Sequence, residues 1–171
     1  MSGHAIISHG LQSGPDATKA MALARSAQSL GWSVEIPDYR DLDEVSQLGD
    51  VLGRVLRLRD AARAAGTRLV LAGSSMGAFI SARVSLEIPV SGLFLMAPPI
   101  RLQGFDISLE AARVPTRIVH GWHDELIPAT EVVRWAATRS DQLVLVDDSH
   151  RLAAHVGFCA DRFAEFLREL A

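Results

Sequence analysis

Leu69-Val70-Leu71-Ala72-Gly73-Ser74-Ser75-Met76-Gly77 carries the chain from an apolar run into a stretch of helical character over 78–86. Residues 73–77 read G-x-S-x-G, and the junction they occupy gives that pattern its meaning. A strand that turns so sharply into a helix needs a strained backbone, and the flanking glycines let the two elements approach closely. The central serine, Ser75, is then lifted to the top of a sheet with its hydroxyl exposed, as a nucleophile requires.

Five more short apolar runs, at 5–9, 33–37, 92–97, 116–120 and Gln142–Val146, read as buried strands beside the one at 68–72. Between them lie stretches of helical period. Residues 16–30 place Ala17, Ala20, Met21, Ala24 and Ala27 on one face, with Asp16 as the expected cap. Residues 45–65 repeat Leu48, Val51, Leu52, Val55 and Leu58 before Gly66, and 129–139 and 152–170 complete the set. Strand and helix alternate throughout and no two-residue hairpin signal joins neighbouring strands. The expected fold is α/β, a three-layer sandwich with a six-stranded, mostly parallel sheet and helices on both faces, as a single domain over 1–171. Ligands of such sheets bind outside the carboxyl ends of the strands.

With 171 residues, 49% apolar and 22% charged, the chain can bury a core without metal or disulfide, and Cys159 is its only cysteine. A net charge of −3 argues against a nucleic-acid partner. Arg54, Arg57, Arg59 and Arg63 are interleaved with acidic and apolar residues and read as a solvated helix face. No apolar run approaches a membrane span, and the start of the chain has no basic segment followed by an apolar one, so a cytoplasmic location is expected.

The strand ends supply further chemistry. His120-Gly121-Trp122-His123-Asp124-Glu125-Leu126-Ile127-Pro128 follows the fifth run, and Asp147-Asp148-Ser149-His150 follows the sixth. Ser75, Asp124 and His150 thus come in the order nucleophile, acid, base, each after a different strand. Glu125, one residue on, is the rival acid. Asp147 and Asp148 read as turn residues too near His150 in sequence to reach its far nitrogen. His120 reads as a turn anchor, and His4, His9, His123 and His155 as structural or surface residues. The spacing of His120, His123 and Asp124 does not amount to a metal site.

Taken together, the His9-Gly10 strand end, G-x-S-x-G, H-G-x-x-D-x-x-x-P and the late histidine resemble the α/β-hydrolase superfamily, and most closely its small, lidless serine esterases. The resemblance spans essentially the whole chain. It implies Ser75 as nucleophile, Asp124 as acid and His150 as base, with no cofactor and no metal. The variant that sets the acid after the strand ending at Ala97 is excluded, because Pro98, Pro99 and Ile100 follow there. The backbone N–H groups of Met76 and of Leu11 are the expected oxyanion donors. Fewer than twenty residues separate Ala97 from Thr116, enough for one short helix at 107–113 and too few for a cap domain.

An uncapped site is a shallow cleft, with Leu11, Met76, Pro98, Ile100, Trp122, Leu126 and Ile127 as its expected walls. The implied activity is hydrolysis of small or short-acyl carboxylic esters, with thioesters, amides and perhydrolysis within the same chemistry. The implied partner is a small-molecule ester; nothing in the residues speaks to oligomeric state. The reading from another class is a non-catalytic binding module on the same scaffold.

Overall fold

The structure is a computed structural model that describes residues 3–66 and 68–171. Met1 and Ser2, with which the reading of the N-terminus begins, lie outside them. Strands β1 (His4–Ser8), β2 (Ser33–Glu35), β3 (Leu69–Ser74), β4 (Gly92–Met96), β7 (Thr116–Gly121) and β8 (Gln142–Val146) form one sheet in the order β2-β1-β3-β4-β7-β8. Every neighbouring pair in it is parallel.

Alternation along the strands builds the three layers, because successive side chains of a strand point to opposite faces. Ile6, Leu69, Leu71, Leu93, Leu95 and Ile118 face α3 (Val51–Ala64), α4 (Met76–Ser85) and α5 (Ala129–Arg139). Ile7, Val70, Ala72, Phe94, Met96 and Val119 face α1 (Thr18–Ser29) and α6 (Val156–Glu169). On that second face the Phe94 and Phe163 rings lie 5.0 Å apart and tilted, a favourable aromatic geometry. Both faces being covered explains why the strand runs are almost wholly apolar.

Several elements differ from their expected form. The helix expected over 45–65 is broken: a short α2 (Arg40–Asp43) comes first, and α3 begins only at Val51. Gly49 adopts φ +66°, and the Asp50 carboxylate accepts the Gly53 N–H at 2.8 Å, so Asp50 caps a new helix rather than continuing an old one. Asp16 does not cap α1; Ala17 holds that position without a side-chain bond. The helix expected at 107–113 is instead a small hairpin of β5 (Arg101–Leu102) and β6 (Ile107–Ser108), antiparallel to each other. Gly104 at φ +88° and Asp106 at φ +46° sit between the two strands and turn the chain back on itself. Among the described residues no cap domain lies over the sheet. Among the described residues, no helix is long and apolar enough to cross a membrane.

Because the sheet is parallel, the segments after β1, β3, β7 and β8 all emerge along one edge. The register pairs Ser8 with Gly73, Ser74 with Met96, and Gly121 with Val146. The edge therefore collects His9–Leu11, Ser75, Asp124 and His150.

Candidate active site

Ser75 sits in the strained conformation its pattern demands, with φ 54° and ψ −120°. Its N–H donates to the Met96 carbonyl at 2.9 Å, and its own carbonyl accepts the first bond of α4 from Ala78 at 2.9 Å. Only glycine fits on either side. A Cβ on Gly73 would lie 2.3 Å from the Gly77 backbone, and one on Gly77 would lie 2.0 Å from the Ser8 carbonyl oxygen. The helix thus presses against both β3 and β1, leaving the Ser75 hydroxyl as the group that projects.

The structure brings together the three side chains selected from the strand ends. His150 Nε2 lies 2.9 Å from Ser75 Oγ, and His150 Nδ1 lies 2.7 Å from Asp124 Oδ2. Asp124 Oδ1 accepts the N–H groups of Leu126 at 2.9 Å and Ile127 at 2.8 Å. Burial pushes the Asp124 carboxyl up, but the bonds from His150, Ile127 and Leu126 outweigh it and the net shift is downward. An ionised Asp124 fixes the proton on Nδ1 and leaves Nε2 free to accept from the serine.

The other acids serve the backbone. Glu125 accepts the His150 N–H at 3.1 Å, which holds the loop rather than the imidazole. Asp148 accepts from the Ser149 N–H at 2.8 Å, the Ala154 N–H at 3.0 Å and His155 Nδ1 at 2.8 Å, and so clamps the turn that carries His150. His123 pairs with Asp147 at the surface, at 2.9 Å. Among the described residues no group of three or more His, Cys, Asp or Glu side chains is arranged to hold a metal.

Neither the Met76 nor the Leu11 N–H has a hydrogen-bond partner among the described residues. Met76 opens α4, so its amide also stands at the positive end of the helix dipole. The loop that carries Leu11 is gripped from below. Arg54 donates to the carbonyls of His9 at 2.9 Å and Gly10 at 3.1 Å, and to both Asp43 oxygens at 2.7 and 2.6 Å. Its guanidinium lies 4.7 Å from the centre of the Tyr39 ring. The His9 ring completes the frame, with Nδ1 donating to the Gly10 carbonyl at 2.8 Å and Nε2 accepting the Tyr39 N–H at 3.0 Å.

This overturns the solvated-face reading for Arg54, whose side chain is 0% exposed. The residue falls three positions after Val51 and four before Leu58, on the apolar stripe of α3. That position is the signal a reading by charge run passes over.

His9 and His120 give the fold a pH dependence. Burial pulls both below their ordinary value of 6.5. Protonating His9 Nε2 would break its bond from Tyr39. His120 already gives Nε2–H to the Ile127 carbonyl at 2.9 Å, and its buried Nδ1 has no partner for a second proton. Below pH 6.5 the unfolded chain therefore binds more protons than the folded one, and stability falls as the pH drops. Urea midpoints should be lower near about pH 5 than near about pH 7.5; equal midpoints would refute the account.

Ser75 and His150 open into a cleft of about 800 Å³. Leu11 and Leu126 line it as expected, together with Gln12, Lys19, Gln47 and Arg151. The other expected walls lie elsewhere. Pro98 is buried beyond the end of β4, and the Ile127 side chain belongs to the core under α5. Trp122 is 56% exposed, Ile100 lines a separate depression with Trp135, and the Met76 side chain is buried. The cleft opens toward the first turn of α1 and the His150 loop, a direction that depends on how α1 and α6 pack together. Strand-end position alone does not reveal it.

No protein-family model and no curated protein sequence matches the chain. Solved structures do. A Xanthomonas campestris pv. campestris protein assigned to the alpha/beta superfamily of hydrolases is 53% identical, with a TM-score of 0.95 over 98% of this chain and 99% of its own. A homologue of alpha-beta serine hydrolases from Coxiella burnetii is 26% identical at TM-score 0.74, over 100% of this chain and 86% of its own. A lidless α/β serine hydrolase from Xanthomonas campestris, 22% identical, shares the fold at TM-score 0.72 over 99% of this chain and 83% of its own.

Proposed function

The chain belongs to the α/β-hydrolase superfamily, and from that premise we propose that it is a serine hydrolase of the carboxylesterase type, acting on small or short-acyl esters or thioesters. The observation that carries the reading is one imidazole bridging two partners, at 2.9 Å from Ser75 Oγ and 2.7 Å from Asp124. A serine hydroxyl attacks a carbonyl only when a neighbouring base takes its proton, and that base must be held in one tautomer.

Ser75 Oγ attacks the acyl carbon as His150 Nε2 takes the proton. The carbonyl oxygen gains negative charge and meets the free N–H groups of Leu11 and Met76, each such donor being worth about 3 to 4 kcal/mol in the transition state. Collapse expels the alcohol or thiol, which leaves with the proton from His150. Water then attacks the acyl-enzyme, with the same histidine as base, and the carboxylic acid departs. Asp124 stabilises the imidazolium at both stages. These roles need no cofactor. Among the described residues no cap covers the cleft, which suits small substrates, and a cytoplasmic, small-molecule role fits the composition.

The test is the intact mass after treatment with a fluorophosphonate, with Ser75→Ala alongside and peptide mapping to follow. A single adduct on Ser75, absent from the variant, is the expected result. No adduct on folded protein would overturn the reading in favour of a binding module.

A further inference from the structure

Lys19 is the one lysine among seventeen basic side chains of this chain, and it lines the same cleft as Ser75 and His150. It stands in the first turn of α1, half-buried, and its ammonium donates to the Arg151 carbonyl. No carboxylate pairs with it among the described residues. The contrast with the arginines withdrawn from solvent is sharp. Arg54 holds Asp43 at 2.6 Å, Arg117 holds Glu169 at 2.8 Å, and Arg139 holds Asp141 at 2.5 Å.

A charge taken out of water without a counter-ion is costly, so withdrawn cations are normally paired. Burial also pulls the Lys19 amine below its ordinary value, as for a cation that has lost hydration without full replacement. Asp148 and Asp124 attract it through space, but neither forms an ion pair with it among the described residues, and burial outweighs them. Glu125 lines the cleft too, its carboxylate accepting the His150 N–H, and it forms no ion pair with Lys19 among the described residues. The Arg151 side chain, exposed at the same cleft, has no acidic partner among the described residues and adds a second positive charge.

We propose that this cleft takes an anionic ester, with a carboxylate on the substrate held by Lys19 and Arg151 while the ester carbonyl lies at Ser75. The inference rests on the serine-hydrolase reading and adds the substrate's charge to it. The carboxylate has two possible sources. On the acyl side the substrate is a monoester of a short dicarboxylic acid; on the alcohol side it is a short-acyl ester of a hydroxy acid.

Three chromogenic esters separate these cases: para-nitrophenyl butyrate, mono-para-nitrophenyl glutarate, and the butyrate ester of a nitro-substituted hydroxybenzoate. The readout is the ratio of kcat/KM for each anionic ester to that for the neutral one. In the wild type one ratio should favour the anion by about tenfold or more, the scale of one charge-assisted hydrogen bond, and the ester that wins identifies the source. Lys19→Met should collapse that ratio, Lys19→Arg should keep most of it, and added salt should weaken it. Wild type with no anionic preference would overturn the proposal, and so would a Lys19→Met variant that slows all three esters alike.

A second measurement does not depend on turnover. Because Lys19 is the only lysine, its reductive methylation can be followed by peptide mass, and glutarate should protect it. Lack of protection counts against the site even if hydrolysis is absent. Fluorophosphonate labelling of the same preparations keeps the two failures apart. Labelled Ser75 without anionic preference or protection defeats this inference alone, whereas an unlabelled Ser75 defeats the hydrolase reading.

Discussion

Replacing Ser75 by alanine is expected to lower kcat on a short-acyl ester by roughly 10⁴ to 10⁶. The size follows from the loss of the nucleophile together with the proton acceptor's purpose: without Oγ, the His150–Asp124 pair has nothing to activate. Residual turnover then rests on the Leu11 and Met76 amides and on binding, which act on water far less effectively. The variant should fold normally, because alanine also carries a Cβ and bears the same strain at φ 54° that serine already bears. Comparison of kcat in wild type and variant, with thermal melts to verify the fold, checks this. A loss below about tenfold would end the assignment of Ser75 as nucleophile.

The second large effect is expected at Arg54. Arg54→Met should destabilise the protein by about 3 to 5 kcal/mol, because it leaves the Asp43 carboxylate buried and uncompensated. Both partners are withdrawn from water, with side chains 0% and 6% exposed. The same change frees the His9 and Gly10 carbonyls, so the loop carrying the Leu11 N–H loses its grip and kcat should fall as well. The double variant Arg54→Met with Asp43→Asn separates the two consequences. Removing the stranded charge should restore part of the stability, while turnover stays low because nothing replaces the two bonds to the loop. Urea denaturation and steady-state kinetics on the single and double variants read both. Destabilisation of less than about 1 kcal/mol by Arg54→Met would show that the pair bears little of the fold.

The parts of this protein legible in its residues are those governed by short-range rules. Apolar runs with glycine and proline punctuation give the strands, since each must be buried on both faces. The G-x-S-x-G turn is legible because no residue but glycine tolerates approaches of 2.0 to 2.3 Å at positions 73 and 77. Asp124 and His150 could be picked from sequence because a parallel sheet sends every strand's carboxyl end to one edge. The hairpin at 101–108 was not legible: two-residue strands carry too little periodicity to compete with a helical reading. The break before α3 turned on Gly49 and Asp50, where one left-handed residue and one side-chain bond outweigh a continuous apolar pattern.

What the chain determines by itself is therefore the order of its elements, the layered sheet, and which functional groups gather along its edge. Tertiary structure alone decided where the cleft opens, which of the candidate walls reach it, and what becomes of the charged side chains. Burial of Arg54 against Asp43, and a Lys19 with no ion-paired carboxylate among the described residues, depend on how the fold brings separate elements together. Coulomb interactions and desolvation act through space, so a residue's charge becomes informative only when its neighbours are in place.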